Sequence, residues 1–320
     1  MNKGIFLLVL LLLARMVSVA QTVEVEVSVE AYDGVVLHGS LLLPSVEQSE
    51  PVPVAVIVAG SGPTDRDGNN VMMLNNSLKM LAEGLAHCGI ATIRYDKRGI
   101  GASVVYDFDE SRVVLQDFSC DVASWVEFAH SDERLGDVTV IGHSEGAKLA
   151  LMAWDSGAAV DRLILLAGAG RSTGAILREQ LASQPEQVRE CAYAIIDSLS
   201  RGVQGFSVPV YLNALFRPSV QPFMVSDMAV DPIAISSRVD IPMLIVQGGS
   251  DIQISVRDAM LLSSSNHSAE LFLIDDMNHI LKECGSMDSE VQVRIYSNPS
   301  LPLHPSLVGS VSRFILGKKL

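Results

Sequence analysis

The sequence predicts an α/β fold, a mostly parallel sheet with helices on both faces. Short, nearly all-apolar runs recur at residues 52–59, 90–95, 138–141, 162–166, 243–246 and 271–274. Strands apolar on both sides are those of a parallel sheet buried between layers. Segments of helical period alternate with them at 74–87, 111–130, 145–155, 255–264 and 303–316, the pattern of strand–helix–strand crossovers. The chain has 320 residues, 48% hydrophobic and 19% charged, enough apolar material for a large core and too little charge for a disordered chain. That length fits one α/β unit or two smaller domains.

Residues 1–20 read as a segment outside the fold. Lys3 precedes an almost unbroken apolar run from Ile5 to Ala14, and Ser18 and Ala20 stand where a signal peptidase requires small residues. The uninterrupted run is shorter than the roughly 20 residues a membrane-spanning helix needs. The expectation is export, to the periplasm or the extracellular medium, with no membrane attachment after cleavage. Losing Lys3 and Arg15 deepens the net charge from −14 to −16. Such an acidic body repels phosphate backbones, which argues against nucleic-acid binding. Cys88, Cys120, Cys191 and Cys284 lack metal-binding spacing. They read mainly as small buried hydrophobes, with a Cys191–Cys284 bridge left open.

Residues 22–30 alternate strictly, Gly34 turns the chain, and 35–43 alternate again to Pro44, which predicts an antiparallel hairpin at the sheet edge. From 170 to 240 no sheet-like run occurs. Helical pieces at 175–182 and 185–201 lead into a tract carrying Pro209, Pro218, Pro222 and Pro232. So long an insertion is not a plain loop. The expected organisation is a core of residues 21–169 and 241–320, with a helical cap of residues 170–240 over the carboxyl edge of the sheet.

The run at 138–141 leads at once into Gly142-His143-Ser144-Glu145-Gly146 and a helix. This is G-x-S-x-G in the strand–turn–helix setting that exposes a nucleophilic serine. A serine hydroxyl needs a base to take its proton and a carboxylate to orient that base. The run at 243–246 leads to Asp251 and the run at 271–274 leads to His279, so the order is Ser144, Asp251, His279. Asp275 and Asp276 compete for the acid role but stand only four and three residues before His279. Among the other histidines, His143 adjoins the serine and is read as pointing away, while His38, His87, His130, His267 and His304 follow no core strand. Two backbone amides should hold the developing oxyanion. The candidates are those of Glu145 and of Ser61, in the loop Gly60-Ser61-Gly62-Pro63-Thr64-Asp65-Arg66-Asp67-Gly68-Asn69.

With these motifs the chain resembles the α/β-hydrolase superfamily over nearly its whole mature length. It is similar to bacterial esterases with a Gly-Ser-Gly-Pro-x-Asp-Arg-Asp loop, grouped with serine-aminopeptidase-like hydrolases. The resemblance rests on the segments 60–69, 96–103, 142–146, 247–253 and 278–282. It implies a triad of Ser144, Asp251 and His279 and an oxyanion hole at the first loop. Gly249-Ser250 departs from the charged residue many relatives carry before the acid. Asp65, Arg66 and Asp67 are expected to brace their loop through ion pairs, and Asp96, Lys97 and Arg98 to form a structural turn.

The expected activity is hydrolysis of small to medium carboxylic esters through an acyl-enzyme, with Phe206, Tyr211, Leu215, Phe216, Phe223 and Met224 of the cap lining the pocket. Neither metal nor cofactor is implied, and the expected partner is a small-molecule ester. Alternatives are an aminopeptidase-like enzyme, with Glu179, Glu186, Glu190 or Asp227 holding an ammonium, a thioesterase, or a non-catalytic binding protein on the same fold.

Overall fold

The computed structural model describes residues 22–44, 50–104 and 106–318. The expected leader at 1–20 lies outside them. Eight strands form one sheet: β1 (Val23–Glu30), β2 (Val36–Leu43), β3 (Val52–Val58), β4 (Ala91–Tyr95), β5 (Leu135–His143), β6 (Arg162–Leu166), β7 (Met243–Gly248) and β8 (Glu270–Ile274). Their spatial order is β1-β2-β4-β3-β5-β6-β7-β8. The pairs β1–β2 and β2–β4 are antiparallel, and every other pair is parallel. Gly34, at φ 84°, makes the first turn. The expected hairpin and parallel sheet are both present.

Eleven α-helices are found among the described residues. They are α1 (Ser77–His87), α2 (Leu115–Ser131), α3 (Glu145–Asp155), α4 (Thr173–Gln180), α5 (Glu186–Ser200), α6 (Asn213–Phe216), α7 (Gln221–Met228), α8 (Pro232–Ser236), α9 (Val256–Ser265), α10 (Ser289–Tyr296) and α11 (Pro305–Ile315). None is long and apolar enough to cross a membrane.

The sheet separates two apolar layers, and strand periodicity sorts residues between them. Val54, Val56, Val140, Leu163, Leu165 and Ile245 join α2, α3 and α9 on one face. Ala55, Ile57, Ile141, Ile164, Leu166 and Val246 join α1 and α11 on the other. The alternation is invisible in the sequence because both faces are dry. On β1, by contrast, Val23 and Val25 are exposed, and only Val27 and Val29 pack against the core.

Helix starts shift where side chains intercept the backbone. Asn69 Oδ1 accepts the amides of Asn75 and Asn76, and Asn75 Oδ1 accepts that of Ser77. Asn76 is thereby left-handed, at φ 55°, and α1 begins at Ser77 instead of residue 74. Asp117 accepts the Val114 amide, so α2 begins at Leu115 instead of 111. Helix α10 has no counterpart among the helical-period segments of the sequence, although Asp288 caps it through the amides of Glu290 and Val291.

Helices α4 to α8 lie between β6 and β7. Residues of α5 and α7, with Leu212 and Phe216, form a separate apolar cluster that ends at Met228. Ile235 of α8 and Val239 belong to the main core instead. The inserted helices as far as Met228, called the cap below, therefore keep an apolar cluster of their own, and the chain joins the main core from Ile235. All four cysteines are unpaired, so no Cys191–Cys284 bridge forms.

Candidate active site

Ser144 stands between β5 and α3 at φ 56° and ψ −119°, a conformation few L-residues adopt. Its neighbours permit so sharp a turn. A Cβ on Gly142 would lie 2.2 Å from the Gly146 carbonyl oxygen, and one on Gly146 would lie 2.3 Å from that of Val58. Both obstacles are backbone, so only glycine fits.

The loops after β7 and β8 bring Asp251 and His279 together, with His279 Nδ1 2.8 Å from Asp251 Oδ2. Both side chains are buried. Asp251 Oδ1 accepts the amides of Gln253 (2.7 Å) and Ile254 (2.9 Å), and Oδ2 accepts Gln247 Nε2 (3.1 Å). Burial pushes the Asp251 carboxyl up, but His279 and these amides outweigh it and hold the group below the usual carboxylate range. Asp276, the rival acid, instead pairs with His304 Nε2 at 2.9 Å. Ser144 and His279 line one cavity with Gly60 and Ser61.

His143 does not point away as read from the sequence. Its Nε2 donates to the His279 carbonyl at 2.8 Å, and the two rings lie 5.0 Å apart. Burial, with His279 adding to it, lowers its pKa to about 4, so the ring is neutral at physiological pH. A histidine inside the motif thus supports the segment that carries His279.

Gly60 approaches the serine closely, since a Cβ there would lie 3.1 Å from Ser144 Cβ. Among the described residues, neither the Ser61 nor the Glu145 amide donates to a protein acceptor. Lys97 grips this loop from beneath, donating through Nζ to the carbonyls of Gly60 and Gly62, the latter at 2.9 Å. Burial pushes the Lys97 ammonium below its ordinary value, opposed by Glu145. Expected from the sequence only as part of a structural turn, Lys97 thus also anchors the Gly60–Gly62 loop.

Farther along, Arg66 bonds Asp96 at 2.9 Å and Glu26 at 2.7 Å, and Asp67 pairs with the buried Arg94. Among the described residues Asp65 makes no ion pair of its own, and it accepts the amides of Asp67 and Asn69 at 2.9 and 2.8 Å. Arg98 pairs with Asp33 and Asp121.

Under the cap a cavity of about 330 Å³ opens from Ser144. Leu215, Phe223 and Met224 line it as expected, joined by Ile176, Leu177 and Val220. Phe206, Tyr211 and Phe216 do not. Phe216 is wholly buried in the cap's own core, Phe206 packs against that core, and Tyr211 is exposed. Their segment is irregular, so no helical period told which side chains face inward.

The ion pair Lys148–Asp227 and the Glu145 side chain also reach this cavity. Of the cap acids considered for holding an ammonium, Asp227 is therefore matched by Lys148 and Glu179 by Arg171, while Glu186 and Glu190 are exposed.

Residues 75–200 match the family model described as serine aminopeptidase, S33, a span that includes 142–146 but not the 60–69 loop. Esterase EstD of Thermotoga maritima is 27% identical over 257 residues, covering 77% of this chain and 58% of the relative. The chain thus spans little more than half of that relative's length. Est1E from Butyrivibrio proteoclasticus superimposes with a TM-score of 0.59 at 16% identity, covering 91% of this chain and 98% of that one. The Pyrococcus furiosus esterase Pf2001 gives 0.57 at 14% identity, covering 92% of each chain.

Proposed function

We propose, from an α/β-hydrolase fold with this set of groups at its carboxyl edge, that the protein is a serine hydrolase cleaving carboxylic esters of small to medium size. The observation that carries the reading is the buried Asp251–His279 hydrogen bond at 2.8 Å beside the cavity that Ser144 lines. The esterase relative supports ester chemistry. Pairing of Asp227 and Glu179 with bases weighs against a site for a substrate ammonium.

In this reading Ser144 Oγ attacks the ester carbonyl while His279 Nε2 takes its proton. Asp251, kept ionised by its amide and His279 contacts, holds the imidazole tautomer that has Nε2 free and stabilises the imidazolium. The amides of Ser61 and Glu145 receive the negative charge on the carbonyl oxygen. When the tetrahedral adduct collapses, the carbonyl-carbon–alkoxy bond breaks and His279 returns the proton to the departing alcohol. Water then enters, His279 takes a proton from it, and the acyl–Ser144 bond is hydrolysed. Apolar cap residues, with Phe223 and Met224 among them, shelter the acyl chain. The leader-like sequence of residues 1–20 supports action outside the cytoplasm.

The test is a panel of p-nitrophenyl esters, acetate through decanoate, beside aminoacyl-anilides. Ester turnover is expected, falling by at least about 10³-fold in Ser144→Ala. Preference for anilides would overturn the ester assignment, and unchanged turnover in Ser144→Ala would remove the nucleophile.

A further inference from the structure

Two lobes of unlike chemistry meet at Ser144. The lobe under the cap, about 330 Å³, presents Ile176, Leu177, Leu215, Val220, Phe223 and Met224, beside the Lys148–Asp227 pair and Glu145. The other lobe, about 120 Å³, contains His279 and a largely polar wall that includes Ser61, Asn70, Ser77, Gln253 and Tyr296. His279 borders only this second lobe.

That asymmetry orients the substrate. The general acid must lie within hydrogen-bonding reach of the oxygen it protonates, so the leaving alcohol occupies the His279 lobe and the acyl chain the lobe under the cap. The polar wall then reports on the alcohol. Gln253 Nε2 donates to Tyr296 Oη at 3.3 Å, and among the described residues the buried phenol's own proton has no protein acceptor. Asn70 Oδ1 accepts the amides of Met72 and Met73, and its amide nitrogen likewise donates to no protein group. Ser77, buried on the same wall, adds a hydroxyl with no protein acceptor among the described residues, while Ser61, also on that wall, is solvent-exposed. An aliphatic alcohol placed there would leave the buried Tyr296 and Ser77 donors unpaired, a costly arrangement.

The geometry points to the substrate class: an ester joining an apolar acyl chain to a polyhydroxy alcohol, a glycerol or a monosaccharide, whose free hydroxyls accept from Tyr296, Asn70 and Ser77. This rests on the ester-hydrolase reading with Ser144 and His279 in their proposed roles.

The experiment holds the acyl group constant and varies the alcohol, comparing kcat/KM for 1-monobutyrylglycerol, 6-O-butyrylglucose and n-butyl butyrate on the full-length wild-type protein, with Ser144→Ala as control. At least one polyol ester is expected to exceed the butyl ester by about tenfold or more. Which of the two leads identifies glycerol or sugar as the alcohol. Tyr296→Phe and Asn70→Asp (which keeps the oxygen that accepts from Met72 and Met73) each remove one donor. Each is expected to lower the polyol-to-butyl ratio on the order of fivefold.

Equal or better turnover of n-butyl butyrate, abolished in Ser144→Ala, would overturn this inference and leave the esterase reading standing. So would turnover of p-nitrophenyl esters with none of the three butyrates, or ratios unmoved in both variants. Failure on every ester, p-nitrophenyl esters included, would instead remove the reading beneath it.

Discussion

Acid should weaken this protein through His143. The ring titrates near 6.5 in an unfolded chain and at about 4 in the fold, where burial and the neighbouring His279 disfavour its charge. Between those values the unfolded chain binds a proton that the folded chain refuses. Stability is therefore complete above pH about 6.5 and is lost as pH falls toward 4. Each pH unit of that gap is worth about 1.4 kcal/mol, giving about 2 kcal/mol lost by pH 5 and about 3 kcal/mol by pH 4. Against a total of roughly 5–15 kcal/mol for a folded domain, that is a substantial share.

Other buried groups titrate as well, so the measurement is a difference. His143→Gln keeps a donor for the His279 carbonyl but cannot protonate. Urea unfolding of both proteins from pH 7 to about pH 5, followed by circular dichroism, should show wild type losing about 2 kcal/mol more than the variant. Curves that stay parallel across the range would refute the assignment of a buried, neutral His143.

Two other substitutions probe the frame around the serine. Lys97→Met removes the donors to the Gly60 and Gly62 carbonyls. It should lower kcat on a p-nitrophenyl ester by about 10- to 100-fold with a smaller change in KM, because the loop carrying the proposed oxyanion donor loses its anchor; an unchanged kcat would contradict that role. Gly146→Ala forces a methyl to 2.3 Å from the Val58 carbonyl oxygen, whereas Gly309→Ala in α11 meets nothing within 4 Å. Thermal melts should show the first destabilised by at least about 3 kcal/mol and the second unchanged or raised by up to about 1 kcal/mol. Equal melting temperatures would show that the elbow tolerates a side chain.

Much of the architecture was legible because strands dry on both faces leave an unmistakable run of apolar residues, and β3 to β7 all have one. The same logic located the candidate groups. Ser144 and Asp251 each follow such a run, His279 follows the apolar run of the half-exposed edge strand β8, and the carboxyl ends of parallel strands all open on one edge. The signal failed where the chain is irregular. From residue 203 to 220 no period distinguishes inward from outward, so Phe206, Tyr211 and Phe216 were read as pocket residues while Ile176 and Leu177 on α4 were overlooked. Helix α10 was missed because its apolar face is weak, although its Asp288 cap stood in plain view.

Local sequence determined which segments become strands, where the sharp turn at Ser144 must fall, and which side chains stand at the sheet's open edge, since those properties depend on neighbours a few residues apart. Tertiary structure alone decided that Asp251 meets His279 while Asp276 meets His304, that Lys97 reaches back to Gly60 and that His143 supports the His279 segment. It alone also decided that the cavity is polar on one side of Ser144 and largely apolar on the other. Each of those depends on residues tens to more than a hundred positions apart, and only the packing of helices and loops against the sheet brings them within hydrogen-bonding distance.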